Sequence, residues 1–66
     1  MINMTSGEKL KAIRLQKGIS RAELSRLTKI PLRTIEDWEY GKNKLIDIGK
    51  IKLLAETLKV DINEFL

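Results

Sequence analysis

The chain contains no cysteine and no histidine. Without thiols there is no disulfide framework and no thiolate metal site. Without imidazole it lacks the commonest general base and the commonest zinc ligand. Aromatic residues are down to one Trp, one Tyr and one Phe, and there is a single Pro. No apolar run approaches the ~20 residues of a membrane span. The opening Met-Ile-Asn-Met-Thr-Ser has no basic flank followed by an apolar stretch, so no signal peptide is read and a cytoplasmic location is expected. The length of 66 residues leaves room for one domain, 1–66, and a domain this small buries only about 60% of its unfolded surface. Apolar residues make up 42% of it, enough for one modest core and no enclosed active site. These absences argue against a hydrolase or a metalloenzyme. No cofactor, metal or small-molecule substrate is expected.

What is present is charge. Thirteen Lys and Arg stand against nine Asp and Glu, for a net +4. That balance permits nucleic-acid binding without requiring it. Residues 1–30 carry seven basic and two acidic side chains, and residues 42–52 carry Lys42, Lys44, Lys50 and Lys52 against Asp47 alone. Between them, residues 31–40 carry Arg33 against Glu36, Asp37 and Glu39. An acidic stretch between two basic ones is the main difficulty for a nucleic-acid reading.

Gly7, Gly18, Pro31, Gly41 and Gly49 cut the chain into helix-length pieces. A first helix over about 6–17 has Leu10, Ile13 and Arg14 on one face, with Gly18 as the left-handed residue after it. A second, about 20–28, opens at Ser20 with Glu23 three residues on, a capping-box spacing, and Ile19 positioned to staple on Leu24. Leu24 and Leu27 continue its apolar stripe. A third, about 31–40, opens on Pro31 as its first helical residue and turns Ile35 and Trp38 inward, ending at Gly41. Ile30, held extended by the following proline, makes Thr28-Lys29-Ile30 a tight turn. A fourth, about 47–58, is capped by Asp47, with Ile48, Ile51, Leu54, Ala55 and Leu58 as its apolar face. A fifth short piece, 61–66, turns Ile62, Phe65 and Leu66 inward. No stretch alternates with period two, so the class is all-α.

Two short helices joined by a three- or four-residue turn allow the second to enter a DNA major groove while the first crosses the backbone. By itself such a pair is a weak signal. The residues are more specific: Ile19-Ser20-Arg21-Ala22-Glu23-Leu24, then Arg33-Thr34-Ile35-Glu36-Asp37-Trp38-Glu39-Tyr40-Gly41-Lys42, with Leu10-Lys11-Ala12-Ile13-Arg14 upstream and Leu54-Ala55-Glu56-Thr57-Leu58-Lys59-Val60 downstream. In order and spacing these resemble the Cro/cI-type (XRE-like) helix-turn-helix DNA-binding family over about residues 6–66. The resemblance implies a five-helix lambda-repressor-like domain and a small transcriptional regulator, in particular a repressor, that binds double-stranded DNA. It also implies a pseudo-palindromic operator and a weak homodimer.

The resemblance further implies roles. Leu32, Arg33 and Asp37 occupy positions that face base edges. Arg21, Thr34, Lys42, Asn43 and Lys44 occupy positions that meet the DNA backbone. Arg14 and Glu39 match a buried structural ion pair. An Arg suits guanine O6 and N7, a Leu the thymine methyl, and an Asp the cytosine amino group. The bland readings stand beside these: a solvated Arg33, a Leu32 that caps the core, an Asp37 that merely repels phosphate, a solvated lysine loop. Thr34 serves a phosphate or a carbonyl of its own helix, and Tyr40 stacks, bonds a phosphate or fills surface. Phe65 and Leu66 complete the core or form a dimer patch.

Three residues depart from the family pattern. Arg21 stands where Gln is common, Lys29 where the turn usually has Gly, and Pro31 where Ser or Thr caps the third helix. A non-Gly residue in the left-handed region costs about 1–2 kcal/mol. The acidic third helix keeps a second reading open: a protein-interaction module or antitoxin-type adaptor that retains the fold. An enzyme using Glu36, Asp37 and Glu39 around Mg²⁺ is the weakest reading, because no phosphate-binding loop and no base accompany them.

Overall fold

The computed structural model describes residues 4–66, so residues 1–3 of the expected 1–66 domain lie outside the described residues. The described chain is all-helical: α1 (Ser6–Gln16), α2 (Arg21–Thr28), α3 (Leu32–Tyr40), α4 (Ile48–Leu58) and a closing 3-10 turn, Ile62–Phe65. The expected fifth helix is therefore one 3-10 turn, too short to count as an α-helix. α3 packs on α1 and α2, while α4 packs on α2 and the 3-10 turn.

Side-chain caps set the helix starts. Thr5 caps α1 and forms a full capping box with Glu8, a signal one residue ahead of the start read from the sequence. Ser20 accepts from Glu23 N–H at 3.1 Å, but Glu23 does not return to Ser20. Its carboxylate instead meets Arg26, three residues on, which holds the carboxyl below the usual carboxylate range. The expected capping box of α2 is thus half made. Asp47 caps α4 through Lys50 N–H. Pro31 is the N-cap of α3 and not its first helical residue, with φ −55° and ψ 138° and no side-chain cap bond. Gly49 lies within the first turn of α4 and breaks nothing.

The core runs through every element: Leu10 and Ile13 of α1, Leu24 of α2, Ile30 of the turn, Ile35 and Trp38 of α3, Leu45 of the following loop, Ile51, Leu54, Ala55 and Leu58 of α4, and Phe65. Three expected core residues are outside it. Leu27 is 46% exposed because α2 buries the i, i+4 pair Leu24 and Thr28. Ile48, the first residue of α4, and Leu66, just after the 3-10 turn, are 60% and 64% exposed, with no described element packed over them. Leu45 is buried although it lies in a loop, where a lone apolar residue has no periodicity to announce it.

Two contacts position the functional half. A Cβ at Gly7 would stand 2.0 Å from the Trp38 carbonyl oxygen, so α1 lies against the backbone of α3 at a distance only glycine permits. The α2–α3 turn is fixed by side chains. Thr28 Oγ1 donates to Leu24 O and accepts from Ile30 N–H, and Ser25 Oγ donates to Ile30 O at 2.6 Å. Lys29 between them is left-handed at φ 66°, with its N–H on Ser25 O. The surrounding bonds and the burial of Ile30 hold a conformation that the lysine itself disfavours.

Candidate nucleic-acid interface

α3 divides into two faces. Inward it buries Ile35, Trp38 and Glu39. Outward it shows Leu32, 39% exposed, and Arg33, whose side chain is 75% exposed. Thr34 and Glu36 are half-buried between them. Lys42, Asn43 and Lys44 follow in an exposed loop, reached through Gly41 at φ 81°. The peptide N–H groups of Lys42 and Asn43 both return to the Asp37 carbonyl, at 2.8 and 3.2 Å, which ties the loop to the last turn of the helix.

Two of the three acidic residues of α3, Glu39 and Asp37, are engaged within the protein. Glu39 is fully buried and takes a two-pronged bond from Arg14: Nε to Oε2 at 2.9 Å and Nη2 to Oε1 at 3.0 Å. The remaining Arg14 nitrogen, Nη1, donates to Ile19 O at 2.8 Å, so α1, α3 and the entrance to α2 close on one guanidinium. Asp37 faces outward with its side chain 17% exposed. Arg33 Nε lies 3.5 Å from one Asp37 oxygen, and Asn43 Nδ2 donates to the other at 3.3 Å. Asp37 thus joins the helix start to the loop, and both of its oxygens already face a donor.

Arg21 is the sequence-predicted site residue whose surroundings differ most from expectation. It opens α2, and its Nε donates to Glu39 Oε1 at 2.8 Å, giving that carboxylate a second cationic partner. Its guanidinium carbon lies 5.0 Å from the centre of the Tyr40 ring. The bond to Glu39, with smaller contributions from Glu39, Tyr40 and Glu36 charges, raises the Arg21 pKa above its already high ordinary value. Nothing in the spacing of residues 21 and 39 signals this contact, since they lie on different helices and share no period. Lys50, by contrast, sits 3.8 Å from the capping Asp47 and belongs to the start of α4.

Arg33 and Leu32 are thus exposed on α3, Arg21 is held through its Nε, and the exposed lysines of the 42–44 loop follow the end of α3. Cationic groups near an exposed helix face can meet phosphates while the helix reaches base edges. Among the described residues no three His, Cys, Asp or Glu side chains gather as a metal site, and no helix is long and apolar enough to cross a membrane.

The helix-turn-helix family matches residues 10–65. An uncharacterized HTH-type transcriptional regulator of Rickettsia prowazekii (strain Madrid E) is 32% identical over 59 residues, covering 89% of this chain and 45% of the relative. A second protein of the same description, from Rickettsia conorii (strain ATCC VR-613 / Malish 7), is also 32% identical over 59 residues, covering 89% of this chain and 46% of that relative. The chain spans about half the length of these curated relatives. No solved structure matches it. With the match running from the middle of α1 to the 3-10 turn, the chain belongs to the XRE-type helix-turn-helix family.

Proposed function

We propose that this chain binds double-stranded DNA sequence-specifically as a small cytoplasmic transcriptional regulator, a repressor, with α3 as its recognition helix. The observation that carries this reading is the outer face of α3. Arg33 and Leu32 are uncovered there, while Glu39 is buried and Asp37 is flanked by Arg33 and Asn43. Of the three carboxylates that opposed a DNA reading, Glu39 is thus answered inside the protein and Asp37 by Asn43 and Arg33, which leaves Glu36. Arg33, Leu32 and Asp37 face base edges. Arg21, Thr34, Lys42, Asn43 and Lys44 meet the backbone. The domain spans the whole chain, and two copies associate weakly on a pseudo-palindromic operator, because one recognition helix offers few base contacts.

The test is a selection of bound sequences from a random duplex pool, followed by Arg33→Ala on the selected and on scrambled duplexes at one salt concentration. A guanine contact predicts a loss of about tenfold to a hundredfold on the selected duplex and much less on the scrambled one. Equal losses on both make Arg33 a phosphate contact. Failure of the wild-type chain to bind any duplex in a salt-dependent way refutes DNA binding and favours the protein-interaction module.

A further inference from the structure

The buried carboxylate of Glu39 takes a third donor beside its fork with Arg14. Arg14 satisfies both of its oxygens in a fork. The third bond, from Arg21 Nε at 2.8 Å, comes from the first turn of α2. Only Nε of Arg21 is used. Its Nη1 and Nη2 donate to nothing in the described residues, yet no buried side-chain nitrogen there lacks a partner. The two Nη groups therefore reach solvent, and the side chain is 27% exposed. Arg21 Cζ lies over the ring of Tyr40, 5.0 Å from its centre, and Tyr40 itself is 65% exposed. A long cationic side chain that normally loses much rotamer freedom on binding is thus held in place beforehand, with two donors pointing outward.

We infer that Glu39 and Tyr40 are positioning residues for Arg21, holding its free Nη edge to clamp a DNA phosphate beside the α2 N-terminus. This rests on the DNA-binding reading above and adds the means by which one backbone contact is preorganised. A guanidinium already bonded through Nε still offers the two-nitrogen edge that matches two phosphate oxygens. An ammonium on a flexible stem keeps the charge without the fixed edge.

The experiment measures duplex binding against salt, with melting temperature alongside, for Arg21→Ala, Arg21→Lys, Tyr40→Leu, Tyr40→Phe and the double variant Arg21→Ala/Tyr40→Leu. Glu39 stays paired to Arg14 in all of them. Arg21→Ala is expected to weaken selected and scrambled duplexes alike and flatten the log-log salt slope by about one unit. Arg21→Lys keeps the slope but loses affinity. Tyr40→Leu is expected to cost about two- to fivefold in affinity, the range of an exposed cation–π contact, at unchanged melting temperature. Tyr40→Phe, which keeps the ring, stays at wild-type affinity. In the Arg21→Ala background Tyr40→Leu costs nothing further, because its target is gone. If Arg21→Ala lowers the melting temperature but leaves binding and slope untouched, Arg21 is purely structural and the inference is overturned. If the two substitutions add, or Tyr40→Phe is as weak as Tyr40→Leu, Tyr40 touches DNA itself and does not position Arg21. A wild-type chain that binds no duplex overturns the DNA reading and this inference together. A wild-type chain that binds, with an inert Arg21, overturns this inference alone.

Discussion

Glu39 and Asp37 lie two residues apart on α3, and their environments share almost nothing. Glu39 is fully shielded and receives three nitrogen donors from α1 and α2. Asp37 is only partly shielded, its side chain 17% exposed, with Arg33 at 3.5 Å on its own helix and Asn43 at 3.3 Å from the loop. A buried carboxylate is stable only with its partners complete, and removing one partner leaves an expensive charge behind. Arg33, 75% exposed, is the solvated member of its pair with Asp37; such a surface pair is worth about 0–1 kcal/mol, so Arg33 is free to exchange partners. The same residue chemistry therefore holds the fold together on one side of α3 and leaves groups free for binding on the other.

Breaking the inner side has the largest expected effect. Glu39→Ala strands Arg14 and should destabilise the chain by about 3–5 kcal/mol, comparable to its whole stability at about 0.05–0.15 kcal/mol per residue. Urea unfolding measures it, and a change below about 1 kcal/mol would show that the pair is as dispensable as a surface one. Next comes Gly7→Ala, whose methyl group meets the Trp38 carbonyl. Forcing α1 off α3 is expected to cost about 1–3 kcal/mol, as overpacking does, and wild-type stability would mean that the two helices slide apart freely.

The turn between α2 and α3 should respond in the opposite direction. Lys29→Gly removes a left-handed lysine at φ 66° and is expected to stabilise. The relief of about 1–2 kcal/mol is reduced by glycine's greater freedom when unfolded. About 1 kcal/mol net raises the melting temperature by roughly 4–8 °C in a domain of this size. A fall in melting temperature would mean that the lysine side chain contributes something the geometry does not show. The smallest effects on folding belong to the loop. Lys42→Ala and Lys44→Ala should leave unfolding within about 0.5 kcal/mol. On the proposed function each flattens the salt slope of DNA binding by about one unit per lost phosphate contact. A change in base preference at constant slope would assign that lysine to a base.

Legibility in the sequence followed locality. Ser20, Asp47, Gly18 and Gly41 act on backbone within a turn of themselves, so their types announce helix ends. Leu54, Ala55 and Leu58 repeat with the helical period and are buried together. Period failed at element ends and in loops: Leu27, Ile48 and Leu66 repeat correctly but nothing covers them, while Leu45 has no period and is 4% exposed. The turn around Lys29 was visible as a departure but not as a solution, because Ser25 and Thr28 act there through specific oxygen positions.

Amino-acid order by itself determined an all-helical chain, the ends of its main helices, most of its core stripe and its family resemblance, because short-range hydrogen bonding and helical period are properties of neighbouring residues. Only the tertiary structure decided which charges are free. Composition counts Glu39, Asp37 and Glu36 equally against a DNA reading, whereas burial and donor geometry place Glu39 inside and set Arg33 and Asn43 on Asp37. It likewise brought Arg21 to Glu39 and Tyr40 across 18 and 19 residues of chain. Electrostatic cost depends on distance and solvent access, and neither exists until the helices have packed.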